Sequence, residues 1–104
     1  MAFNLANLWD AETGKLLYSF EHKGIITSVA FSSDGSRLAT AGFDKLVKIW
    51  NAEDGNLLNT LHFEQVVGEV RFSQDGEKIV AIGFGSNSSV YVKNIDSDFA
   101  VFKS

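Results

Sequence analysis

The chain has 104 residues, a length that suits one small domain, and its 45% hydrophobic and 21% charged content is that of a globular protein. A formal net charge of -4 argues against a face built to neutralise phosphates, so direct nucleic-acid binding is not expected. Without cysteine there is no disulfide framework, thiolate metal site or thiol nucleophile, and no stretch approaches the roughly 18 apolar residues of a membrane span. The N-terminus also lacks a signal-peptide pattern, so the expected location is intracellular, cytoplasmic or nuclear, away from membranes. Proline is absent against nine glycines, which leaves the turns to Gly, Asp, Asn and Ser.

In chain order, residues 4–9 and 15–20 read as two short strands around the acidic turn that contains Asp10 and Glu12. Val29 and Phe31 then alternate with smaller residues, and Ser-Ser-Asp-Gly ends that strand in a tight turn at Asp34-Gly35. RLATAGF supplies the next strand and LVKIW the one after it, with Val47 and Ile49 on one face. The turn Ala52-Glu53-Asp54-Gly55 leads into the run around Leu57, Leu58 and Leu61. The same order returns with Asp75-Gly76, EKIVAIGF and VYVKN. Nothing holds a helical period over the ~11 residues that such an assignment requires, so the chain reads as all-β.

The recurrence is literal. A shift of 41 positions lays Leu8–Phe20 over Ile49–Leu61 and Phe31–Phe43 over Phe72–Phe84, with 12 of the 26 pairs identical. The next copy slips by two, because GFDKL has become the longer GFGSNSS, and VKIWN then lies over VYVKN. A four-stranded meander repeated at this period is the signature of a β-propeller blade.

HKGIITSVAFSSDGSRLATAGFDKLVKIWN, residues 22–51, resembles the WD-repeat family, and the likeness extends over nearly the whole chain. The departures are Glu21 where the family has Gly, and Asn51 after Trp50, leaving Trp9-Asp10 as the intact Trp-Asp pair. Ser33 and Gln74 stand at the family's turn proline, which accounts for the missing prolines. The resemblance implies four-stranded antiparallel meander blades of a β-propeller with an incomplete ring. Residues 1–20 would be the C-terminal half of a blade (its third and outermost strands), 21–61 a complete blade, and 62–104 a complete but degenerate one. The degenerate copy also loosely resembles late propeller blades of Prp19-type splicing-associated ubiquitin ligases.

His22, Thr40 and Asp44 have the residue types of a nucleophile, base and orienter. In WD-repeats, however, these types together with Trp50 imply a structural tetrad, hydrogen-bonded from Trp through Ser/Thr and His to Asp. That reading fits the cost of burying unpaired donors and acceptors. Phe63, Ala81 and Lys93 replace His22, Thr40 and Trp50 in the next copy, and the Asp44 position falls in the Gly85-Ser86-Asn87 turn. The degenerate blade is therefore expected to rest on Phe63, Val70, Phe72, Ile79, Ile82, Val90 and Val92.

Other chemistry is weak. His22 and His62 lack supporting metal ligands, and Asp96-Ser97-Asp98 lacks the Gly and distal Glu of a calcium loop. Asn87-Ser88-Ser89 fits a glycosylation sequon but has no secretion signal to use it. Gly83-Phe84-Gly85 has no phosphate-loop lysine, and the acidic turns Asp10-Glu12 and Glu53-Asp54 lack a desolvating environment. No enzyme, metal or cofactor is expected.

The resemblance points instead to one rim, formed by the turns between second and third strands and the entries to the innermost strands. Phe43 and Phe84 occupy those turns, with Ile25, Thr27, Val66 and Gly68 at the strand entries. Either the two Phe form an apolar contact patch, or each folds back onto its own blade. The leading expectation is a non-catalytic protein–protein interaction scaffold that binds other proteins through this rim. The alternative is a self-assembling propeller piece, completed by further chain or by copies of itself.

Overall fold

The computed structural model describes residues 4–84 and 89–95, and among them every regular element is an antiparallel strand. A two-stranded sheet comprises β1 (Asn4–Trp9) and β2 (Leu16–His22). A four-stranded meander follows: β3 (Ile26–Phe31), β4 (Arg37–Gly42), β5 (Leu46–Asn51) and β6 (Leu57–His62). The last sheet holds β7 (Val67–Phe72), β8 (Lys78–Gly83) and β9 (Val90–Asn94). These are half a blade, a full blade and three strands of another, with no closed ring. The outermost strand expected after the Asp96-Ser97-Asp98 turn, that turn itself, the sequon asparagine Asn87 and the Gly85-Ser86-Asn87 turn lie outside the described residues.

The repeat survives at the level of single hydrogen bonds. Asp10 Oδ1 accepts from the Glu12 and Thr13 N–H groups, as Asn51 Oδ1 does from Glu53 and Asp54. Gly14 and Gly55 close those turns at φ 75 and 79, a left-handed conformation that costs glycine little. In the other turn, Asp34 Oδ1 accepts from the Ser32 hydroxyl and the Ser36 N–H, and Asp75 Oδ1 accepts from the Ser73 hydroxyl and the Glu77 N–H. A carboxylate or amide that satisfies its own turn lets the chain reverse without proline.

The core lies between the second and third sheets. Alternation along the strands puts Ala39, Ala41, Val47, Ile49 and Leu61 on one face of the full blade, and Val67, Val70, Ile79 and Ala81 pack against them. The β3–β4 hairpin lies against β7, and polar groups sew the seam. Thr27 Oγ1 donates to Val67 O at 2.5 Å, and Ser28 Oγ accepts from Val70 N at 3.2 Å. A second, smaller cluster joins the half blade to the other face of the full one through Phe20, Leu38 and Trp50.

The degenerate blade departs from its expected core. Phe63, Val70 and Ile79 are buried and Phe72 packs against them, but Ile82 is only half-buried, and Val90 and Val92 are 66% and 58% exposed. The cause is strand parity: β9 turns Tyr91 and Lys93 toward the neighbouring blade, opposite Ala81 and Ile79, so Val90 and Val92 face the other way. Val67, Ala81 and Ile95 complete the core instead.

Candidate functional site

Four elements deliver the polar chain of the full blade: His22 ends β2, Thr40 sits in β4, Asp44 in the β4–β5 turn and Trp50 in β5. Trp50 Nε1 donates to Thr40 Oγ1 at 2.9 Å, and Thr40 Oγ1 lies 2.6 Å from His22 Nε2. His22 Nδ1 lies 2.9 Å from Asp44 Oδ2. One assignment of protons satisfies all four groups. The indole can only donate and the carboxylate only accept, so the Thr40 hydroxyl donates to Nε2 and Nδ1–H donates to Asp44. The Lys23 and Leu46 N–H groups also reach the Asp44 carboxylate, tying it to both flanking loops.

This geometry is closed to chemistry. Thr40 is 0% and His22 1% exposed, so the hydroxyl that a nucleophilic reading would need cannot touch a substrate. Its oxygen already accepts from the indole and its proton is given to His22 Nε2. Among the described residues no group of three or more His, Asp or Glu could hold a metal ion.

Blade three has a substitute that the sequence did not disclose. Phe63 at the histidine position stacks edge-on against Tyr91 with centroids 5.4 Å apart, and Lys93 Nζ sits 4.7 Å from the Phe63 ring centre. Lys93 also donates to His62 O at 2.8 Å, as Lys48 donates to Glu21 O at 3.0 Å one repeat earlier. Tyr91 Oη donates to Gln65 Oε1 at 3.1 Å. A cation–π contact and two ordinary hydrogen bonds thus join β9 to the end of β6 and the loop that follows it. A Cβ on Gly83 would run into the Gln65 side-chain amide, which would have to swing aside from its bond with Tyr91. A lysine in place of tryptophan signals this only once the rings are placed.

At the rim, the Phe43 and Phe84 rings lie 5.7 Å apart and tilted by 41°, while staying 43% and 58% exposed. Each is anchored from the backbone, Phe43 N–H to Ile25 O and Phe84 N–H to Val66 O. Gly24 and Gly68 make room for them, because a Cβ at either would come within 3.2 Å of the Phe side chain. Ile25 adds a 54% exposed side chain, and Val66 is half-buried. The Thr27 hydroxyl is engaged in the seam, with Val67 O and Ala41 O as its acceptors.

The opposite end holds a shallow polar cleft of about 260 Å³ between the Asp34 and Asp75 turns, bordered by Arg37 and Glu77. The Ser36 N–H and hydroxyl, with the Ser32 hydroxyl, hold the Asp34 carboxyl down to about 2. The Ser73 hydroxyl and the Glu77 N–H lower that of Asp75. Both carboxylates are occupied by their own turns.

Blades tied by a Trp–Thr–His–Asp chain, and stacked through their inner strands, define part of a β-propeller of the WD type. Residues 14–51 match the family model described as "WD domain, G-beta repeat", which places a repeat of that family in this stretch of the chain. It is 44% identical over 41 residues to a coronin-like protein of Saccharomyces cerevisiae, a match covering 39% of this chain and 6% of that protein. It is likewise 44% identical over 43 residues to the serine-threonine kinase receptor-associated protein of Gallus gallus, covering 41% of this chain and 12% of the relative. The chain therefore spans a small part of either relative's length. Neither is a Prp19-type ubiquitin ligase. Repeats of this family generally mediate protein–protein interaction.

Proposed function

We propose that the chain is a non-catalytic interaction scaffold that presents the rim around Phe43 and Phe84 to another protein. The observation that carries this is the exposed aromatic pair, since turns seldom carry Phe and these two meet across two blades. Aromatic anchors at the centre of an interface commonly cost 2 kcal/mol or more when truncated, about thirtyfold in affinity. Peptides selected by display against the chain are expected to lose binding by at least tenfold in Phe43→Ala and Phe84→Ala, with the urea midpoint held. Selected binders indifferent to both changes would remove the rim from the proposal.

A second reading, assembly with further chain or with copies of itself, is supported by a different observation. Val29 and Phe31 on one side, and Val90 and Val92 on the other, are each at least half exposed. One repeat away, Val70 and Val47 with Ile49 are buried against each other's blades. A native mass above that of the monomer at micromolar concentration supports this reading, and a monomer at every concentration opposes it.

A further inference from the structure

We infer that the partner segment seated on the Phe43–Phe84 rim carries an aspartate or glutamate beside a large apolar side chain, and lies with its acidic end toward Phe43. The inference rests on the rim reading proposed above and adds to it the chemistry and direction of the occupant.

The two turns of the rim are equivalent in the repeat but opposite in charge. A shift of 41 residues lays Lys23, Ile25 and Phe43 over Glu64, Val66 and Phe84. Lys23 and Lys45, both exposed, bracket Phe43. The Lys23 N–H reaches the Asp44 carboxylate at 3.4 Å, and the Lys45 N–H closes the turn on Gly42 O at 3.2 Å. On the other side, Glu64 stands exposed in the loop whose Val66 carbonyl anchors Phe84.

Both lysines are unspent. Among the described residues neither ammonium has a hydrogen bond or an ion pair, although the chain carries 13 acidic against 9 basic side chains. Asp44, the carboxylate between them, is turned inward: its side chain is 11% exposed, and its oxygens lie 3.0 and 2.9 Å from His22 Nδ1. Lys48, Lys93 and Arg71, by contrast, are engaged on Glu21 O, His62 O and the Glu69 carboxylate. An aromatic centre with charge at its margin is the ordinary anatomy of an interface. Here the margin has a direction. A carboxylate laid at the Phe43 end meets two unpaired cations, while at the Phe84 end it meets Glu64 and is repelled. The rings thus hold the apolar side chain, and the charges decide which way the segment lies.

The test displays random peptides against the full chain at low salt. The selected sequences are expected to carry an acidic residue adjacent or nearly adjacent to a large apolar one. One of them, resynthesised, is expected to lose about threefold to fivefold in affinity with Lys45→Glu, and a similar factor with Lys23→Glu. Glutamate at position 45 reverses the charge without altering the demand of φ 68 on a side-chain-bearing residue. Lys15→Glu makes the same change of charge in the β1–β2 turn and is expected to have no effect. Lysine in place of the peptide's acidic residue is expected to restore binding to Lys45→Glu. Urea midpoints report that each variant is folded. Peptides that need both Phe43 and Phe84 but show no acidic preference, or ignore both lysine reversals, would overturn the inference and leave the rim reading intact. An equal response to Lys15→Glu would do the same, because the charge effect would then be general. Peptides indifferent to both rings would remove the rim reading and this inference with it. A selection that yields no binder would also overturn it.

Discussion

Single residues carry much of the cohesion here, and the polar chain through His22 concentrates it. Thr40→Val keeps the shape of the side chain but strands the Trp50 indole N–H and His22 Nε2 in a site closed to water. Each lost buried partner costs about 1–3 kcal/mol, so Thr40→Val and His22→Ala are both expected to lower the urea unfolding midpoint by that order. An unchanged midpoint in either variant would mean that the network contributes nothing. The two equivalent glycines make a sharper comparison. Gly14 and Gly55 share a left-handed φ, but a Cβ on Gly14 meets nothing while one on Gly55 comes within 2.5 Å of the Tyr18 ring. Tyr18 is pinned there by its hydroxyl, which donates to Glu53 O at 2.6 Å. Gly14→Ala is therefore expected to cost only the conformational penalty of about 1–2 kcal/mol, and Gly55→Ala distinctly more, as read by thermal unfolding. Asp34 supplies a pH dependence with a definite sign. Its carboxyl titrates at about 2 in the folded protein, below the ordinary value near 4 of an unfolded chain. The stabilisation is thus complete above about pH 4 and is lost as pH falls toward 2. Asp34→Asn should flatten that part of the profile of midpoint against pH, and a wild-type-like slope would contradict it.

At the scale of the element, the degenerate blade shows how a β-meander survives the loss of its polar network. Phe63, Tyr91, Lys93 and Gln65 replace a directional chain of hydrogen bonds with ring contacts and two longer-range caps. A cation over a ring is worth about 0.5–1 kcal/mol at an exposed site and about 2 kcal/mol when desolvated, less than stranding two buried polar groups, so Lys93→Ala is expected to be milder than Thr40→Val. A drop in midpoint equal to or larger than that of Thr40→Val would show that Lys93 does more than cap. The strands themselves were readable from alternation and from the Asp-Gly turns, because a half-buried strand writes its two faces into the sequence at period two. The core of the last blade was less readable. Val90 and Val92 look like core residues by composition, but hydrophobicity alone does not tell which face of a strand has a neighbour.

At the scale of the whole molecule, the last two sheets stack because the inner hairpin of one covers the inner strand of the next. Where that hairpin is present, between β3–β4 and β7, Ala39, Ala41 and Val67 reach 0% exposure. Where it is missing, over Val29 and Phe31, apolar side chains stand in solvent. Large exposed apolar faces of this kind favour association. Light scattering is expected to show mass rising with concentration, and Val92→Asp is expected to reduce that rise if the far face takes part. A concentration-independent monomer would mean that both faces are tolerated in water.

The all-β class, the repeat and the residue types of the Trp–Thr–His–Asp chain are legible in the amino-acid order, since these depend on local alternation, on turn chemistry and on identities that recur at a fixed shift. Which residues meet across blades emerges from the stacked fold. It brought Phe43 to within ring contact of Phe84, withdrew Thr27 into the seam and gave Lys93 a ring to cap. It also resolved the repeat into sheets of two, four and three strands among the described residues. Strand parity and turns are local properties of the chain, whereas burial belongs to surfaces that exist only once the blades are stacked.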